Sequence, residues 1–193
     1  GMCVSLLVMC NMGTDPYSAM NYGISHMLGM SFGNYQLLSN LVLLLIVIIF
    51  DRKLIGTGTL GNMILVGYAA DFFTWIWKNV CHVPEQLSLS TRIIILIPAL
   101  ILFIFAAAMY MQSGHGTAPY DAVSFLITNK IAKVTGRNMF RIIRIVYDLL
   151  ATCIAIETGG EVGIITILMV ILLGPTVGFV GDFIKRKKPK MTT

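Results

Sequence analysis

Apolar residues in this chain fall into long blocks separated by short polar stretches. The blocks lie at 37–50, 60–77, 93–111, 139–156 and 162–180. All but the first approach or reach the roughly 20 residues a helix needs to cross a bilayer core. The 37–50 block is shorter, but Tyr35 and Gln36 can lengthen it. Residues 1–12 are also apolar, yet too short to span, and they begin without the charged segment of a signal peptide. The pattern predicts an all-α polytopic membrane protein of six transmembrane helices, the chain starting partway through the first.

The polar stretches repeat. Gly13-Thr14-Asp15-Pro16-Tyr17 returns as Gly116-Thr117-Ala118-Pro119-Tyr120, an offset of 103 that also relates Gly33 to Gly136. Further on, Gly56, Thr59 and Gly67 return as Gly163, Thr166 and Gly174 at an offset of 107, so four extra residues are expected near 158–161. Internal duplication interrupted by Gly and Pro points to a transporter-type site at the repeat interface. The other reading is a duplicated scaffold whose Gly and Pro only shape loops. The expected organisation is a first three-helix repeat at 1–80, a second at 91–184 and a basic tail at 185–193.

Composition strengthens the membrane reading. The chain is 56% hydrophobic and 12% charged, with mean hydropathy +0.82. Soluble domains carry about 25% charged residues. The net charge of +5 would suggest nucleic acid, but the positive charge concentrates at Lys185, Arg186, Lys187, Lys188 and Lys190, directly after the last apolar block. By the positive-inside rule that tail is cytoplasmic. Counting back places 157–161 outside, 113–137 inside, 51–53 inside and 12–34 outside, with the mixed segment 78–92 outside. Both termini are then cytoplasmic. With three helices per copy, the second copy enters from the opposite side, which makes an inverted repeat.

In each repeat, Pro16 and Pro119 suit the first turn of a helix, and Thr14, Thr117 or Asp15 can cap it. These Gly-Thr-x-Pro-Tyr helices are half a membrane long. They either lie flat at the interface or dip in as re-entrant half-helices, which would aim two positive dipole ends into the protein.

The strongest chemical signal is in the fifth helix, where Arg141, Arg144 and Asp148 share one face and Arg144–Asp148 is an i,i+4 pair. An intramembrane arginine costs about 2.5–3.5 kcal/mol to insert, so it needs a partner or a task. The candidate substrate-binding residues are therefore Arg144, Arg141, Asp148, Asp121, Asp15 and Asn40. Gly13, Pro16, Tyr17, Gly116, Pro119 and Tyr120 are the motif residues. The competing reading has Arg141 snorkelling to the interface and Arg144 merely paired with Asp148. Asp71 shows no obvious partner, and a lone Asn40 equally suits helix–helix contact. Pro175 is expected to kink or end the last helix. Cys3, Cys10, Cys81 and Cys153 form no ligand pattern. No nucleophile–base set, phosphate loop, metal cluster or cofactor motif appears, so the expectation is a non-enzyme without metal or cofactor.

These elements resemble a family. Residues 12–18, residues 114–121, the arginine-bearing helix, 159–166 and Gly174-Pro175 look like the YczE/YyaS/YitT group of uncharacterised bacterial integral membrane proteins. Ser18 stands where the group has an acidic residue after the first Pro-aromatic pair, and Ile165 where it has a glycine. The resemblance implies a multi-pass protein of the bacterial plasma membrane and no particular substrate. The leading expectation is a transporter or exporter of a small anionic or zwitterionic solute, working by alternating access. The alternative is a non-transporting membrane partner of another complex. The expected partners are the lipid bilayer, a small solute and a second copy of the chain, with no nucleic acid.

Overall fold

The computed structural model describes the backbone of residues 1–187 other than Glu85 and Asn138, and side chains through residue 176. The side chains of the basic tail expected at 185–193 lie outside the described residues. The elements are α1 (Met2–Cys10), α2 (Pro16–Met27), α3 (Phe32–Phe50), a 3-10 turn (Arg52–Leu54), α4 (Thr57–Asn79), α5 (Leu89–Gln112), α6 (Pro119–Thr135), α7 (Phe140–Glu157) and α8 (Ile164–Lys187). Among the described residues there is no strand. Local chemistry sets the starts. Ser31 and Ser88 accept from the backbone of Asn34 and Thr91 to cap α3 and α5, and Pro16 and Pro119 open α2 and α6.

The molecule is inside-out relative to a water-soluble domain. Its exposed faces carry Leu45 and Ile49 on α3, Phe72 on α4, Ile94 on α5, Leu150 on α7 and Ile171 on α8. Its interior holds Asn21, Gln36, Asn40, Thr59, Asp148 and Thr166. Apolar outside and polar inside is the arrangement lipid demands. Among the described residues two helices, α3 and α5, are long and apolar enough by themselves to cross a membrane. α7 carries Arg141, Arg144, Asp148 and Glu157 and falls short by composition, although its outward face is apolar.

α1 packs on α5 in an arrangement that fits an antiparallel pair: Cys10, at the end of α1, donates its thiol to the Arg92 carbonyl near the start of α5, Leu7 clusters with Leu96 and Ala99, and Phe103, further along α5, packs against the cluster that holds Val4. The two halves also clasp each other reciprocally. The Thr14 amide donates to the Glu161 carbonyl (3.2 Å), and the Thr117 amide to the Leu54 carbonyl (3.0 Å). The Ile165 amide donates to Met12, and the Gly58 amide to His115. Within each clasp a glycine amide donates to a threonine hydroxyl, Gly163 to Thr166 and Gly56 to Thr59.

α2 and α6 share a placement that the apolar blocks did not reveal. Tyr17, in the first turn of α2, meets Asn40 in the middle of α3, and α2 then runs back to the Phe32 end of α3. Tyr120, in the first turn of α6, meets Asp148 in the middle of α7. α6 then runs to the other end of α3, where the Lys130 ammonium lies 3.7 Å from the centre of the Phe50 ring. Both helices thus begin at mid-height inside the bundle and leave toward opposite ends. Twelve residues of helix rise about 18 Å, half of a membrane's full depth.

Two expectations about the repeat need correction. The left-handed glycine after α2 is Gly29 (φ +65°), the counterpart of Gly136 (φ +69°) after α6. Gly33 instead lies within α3, close to Gly67. The extra residues therefore belong to α6, which has 17 residues against 12 in α2, and not to the loop at 158–161. Asn40 of α3 and Asp148 of α7, both buried, are the residues that the two motif tyrosines, Tyr17 and Tyr120, bond. α8 continues through Pro175 rather than ending there.

Candidate functional site

The first turns of α2 and α6 meet at the centre of the bundle. Tyr17 and Tyr120 stack with ring centroids 4.3 Å apart, and Tyr147 of α7 stacks on Tyr120 at 4.5 Å. Each motif tyrosine donates its hydroxyl to the neighbouring long helix, Tyr17 to Asn40 Oδ1 (2.9 Å) and Tyr120 to Asp148 Oδ1 (2.8 Å). The motif tyrosines thus act as polar pins between each half-helix and its supporting helix.

Arg144 sits beside this stack. Its Nε donates to Asp148 Oδ2 at 2.9 Å, and its Nη1 donates to Asp121 Oδ1. Its guanidinium lies 5.3 Å from the centre of the Tyr120 ring. The side chain is 11% exposed and that of Asp148 only 1%, so this is an interior ion network, with α6 and α7 each contributing carboxylate. Breaking such a network is costly because it strands a buried charge. Two of the five guanidinium N–H donors are used, and among the described residues nothing bonds to Nη2.

Asp15 completes the constellation from the other half. Its Oδ1 accepts from the Ser18 amide at 3.1 Å and caps α2, while Oδ2 is buried without a hydrogen bond. Arg144 and Asp121 are within electrostatic reach of it. Asp15, Ser18 and Gln36 share a cavity of about 750 Å³ with Asp121, Arg144 and Asp148. This polar end is central; Gln112 and Asn62 line the cavity toward the end of α5 and the start of α4.

Of the residues expected at a site, Arg144, Asp148, Asp121 and Asp15 converge, with Tyr17 and Tyr120 between them. Asn40 lies behind Tyr17 and does not line the cavity. Arg141 is exposed one turn away, against a small groove between α7 and α8 with Pro175. Pro16 and Pro119 are fully buried at the two helix starts, and Gly13 and Gly116 sit in the clasps. Asp71 has a partner after all: its Oδ2 accepts from the Gly33 amide at 2.8 Å, across α3 and α4.

Two residues escaped the sequence reading. Ser18 and Gln36 both line the polar end of the cavity. Aligning the starts of α3 and α7, Phe32 with Phe140, sets Gln36 opposite Arg144 and Asn40 opposite Asp148. All four cysteines are free thiols, and among the described residues no group of three His, Cys, Asp or Glu is placed to hold a metal.

Comparison with known proteins gives kinship without chemistry. The uncharacterized membrane protein YczE of Bacillus subtilis is 28% identical over 87% of this chain and 73% of its own length. The uncharacterized protein YyaS of the same organism is 28% identical over 89% of this chain and 81% of its own. An uncharacterized protein of Haemophilus influenzae is 23% identical over 94% and 78%. No solved structure matches the chain. The first two relatives are those the repeated motifs resemble, and the inside-out surface agrees with a membrane protein. The family described as "Family of unknown function (DUF6198)" matches residues 1–182, nearly the whole chain, and the protein belongs to it.

Proposed function

We propose that this protein is a secondary transporter of a small zwitterionic solute, working by alternating access between two inverted repeats in the bacterial plasma membrane. The observation that carries the reading is the meeting of the α2 and α6 first turns at one cavity beside Arg144. Discontinuous half-helices whose N-termini face a midplane site are a recurring way of binding charged solutes in transporters. Six crossings follow if α1, α3, α4, α5, α7 and α8 span while α2 and α6 re-enter. The antiparallel packing of α1 on α5 and the reciprocal clasps support an inverted relationship. A contact made equally in both directions is what a two-fold axis produces.

Of the anionic and zwitterionic solutes, the charge balance favours the second. Arg144 is already neutralised by Asp121 and Asp148, so a simple anion would meet a surplus of carboxylate. A zwitterion can reach Arg144 Nη2 with its negative end and a carboxylate with its positive one. Nothing in this chemistry calls for a cofactor or a covalent step, and both termini are assigned to the cytoplasm from the distribution of Lys and Arg.

Uptake of labelled amino acids and betaines into proteoliposomes tests the reading. Saturable uptake in the wild type, lost in Arg144→Lys with the fold intact, is expected, because lysine keeps the charge but lacks the fork. Absence of flux for every zwitterion would favour a non-transporting membrane partner instead.

A further inference from the structure

We propose that Asp15 is the docking carboxylate for a positively charged amino group, so that the cavity selects small ammonium-bearing molecules. The inference deepens the proposed solute site and rests on that reading only for the presence of a solute.

Of the three carboxylates that line the cavity, two are already engaged. Asp148 accepts from Tyr120 and Arg144, and Asp121 accepts from Arg144. Asp15 has one oxygen on the Ser18 amide and the other, Oδ2, buried with no hydrogen bond, in a side chain from a residue 8% exposed that lines the cavity. A buried polar atom left unpaired costs about 1–3 kcal/mol, more when charged, so it needs a reason to persist.

Capping α2 is not a sufficient reason. One oxygen does that work, and asparagine or serine would cap equally well without a charge. α6, which opens the same way, has Ala118 at its cap and no side-chain cap at all. The charge balance points the same way: three carboxylates, Asp15, Asp121 and Asp148, line the cavity with one guanidinium, that of Arg144, leaving an excess of carboxylate where a cation would be held. The helix N-terminus near Asp15 offsets part of that excess, but it provides no donor to Oδ2. An ammonium group brings three donors and a positive charge, the complement of the unpaired oxygen.

The test is calorimetric binding to the full chain in lipid nanodiscs, using three probes of similar shape: benzylammonium, benzoate and benzyl alcohol. Benzylammonium should bind at least tenfold more tightly than the other two. Asp15→Asn, which retains the cap, should weaken it at least tenfold, and Asp15→Glu should recover part of the loss. Equal or tighter binding of benzoate or the alcohol, or no benzylammonium binding, overturns the proposal; the wild type alone decides this should the asparagine variant fold poorly. Unchanged amine binding in a folded Asp15→Asn also overturns it. A pH-dependent melting temperature that vanishes in Asp15→Asn, without amine binding, would give the carboxylate to a proton instead and likewise end the proposal. Amine binding without flux of any solute would remove the transport reading while leaving Asp15 in this role.

Discussion

Tyr17 and Tyr120 occupy the same place in the two copies of the repeated motif, and they stack on each other at 4.3 Å. A residue in contact with its own counterpart lies where a two-fold axis would pass. The proposed axis therefore runs between these rings, and the polar residues around them come from both halves. In the proposed transporter this stack is where the two halves would pivot.

The network on Arg144 gives the first prediction. Arg144→Ala should destabilise the protein by about 3–5 kcal/mol, because it leaves Asp121 and Asp148 buried without their cation. Neutralising the whole network, with Arg144→Met, Asp121→Asn and Asp148→Asn together, should recover most of the melting temperature in detergent. It should not recover flux. A triple variant that transports like the wild type would end the assignment of Arg144 to a solute site.

Hydroxyl deletion at the stack should be asymmetric. Tyr120→Phe removes a bond to a buried carboxylate and should cost about 1–3 kcal/mol, whereas Tyr17→Phe breaks a neutral bond to Asn40 and should cost about 0.5–1.5 kcal/mol. Thermal unfolding of the two variants side by side measures the difference.

Gly13 and Gly116 should be equally intolerant. Each has a φ near +95°, at +96° and +94°, and a Cβ on either would come within 2.5 Å of the threonine hydroxyl of the opposing clasp, Thr166 or Thr59. Left-handed backbone alone costs an L-residue about 1–2 kcal/mol, and the collision adds to it. Alanine at either position should lower the yield of folded protein in detergent, and by similar amounts.

Topology can be read chemically. With Cys81 and Cys153 replaced, since both are exposed, a thiol from Glu157→Cys should react with an impermeant reagent from outside the cell. One from Lys133→Cys should react only after lysis. The reverse pattern would overturn the orientation, and reaction of both in intact cells would mean dual insertion.

Glu161 lies in the loop between α7 and α8, where burial pushes its carboxyl above the ordinary value of 4.5. A group whose folded pKa is raised contributes stability at low pH that is lost as pH rises through the folded value. The wild type should therefore lose melting temperature as pH rises above 4.5, and Glu161→Gln should lose less. An identical pH slope in the two proteins would remove this group from the account.

The order of apolar and polar residues determined much of this protein. Blocks too apolar for water meant a membrane helix bundle, the Gly-Thr-x-Pro-Tyr repeat located both half-helices, and the spacing of Arg144 and Asp148 already implied their pairing. All of these are local or periodic features, set by propensity, by the 3.6-residue turn and by the cost of charge in lipid. What only the tertiary structure decided was which residues of different helices meet. Tyr17 of α2 meets Asn40 halfway along α3, a contact between helices that neither stretch announces by itself. The length difference between α2 and α6 shifted the match for Gly136 from Gly33 to Gly29. The second carboxylate on Arg144, the partner of Asp71 and the unpaired oxygen of Asp15 all involve residues from different helices. No pattern along one helix can show them, because long-range contacts form only when the helices pack.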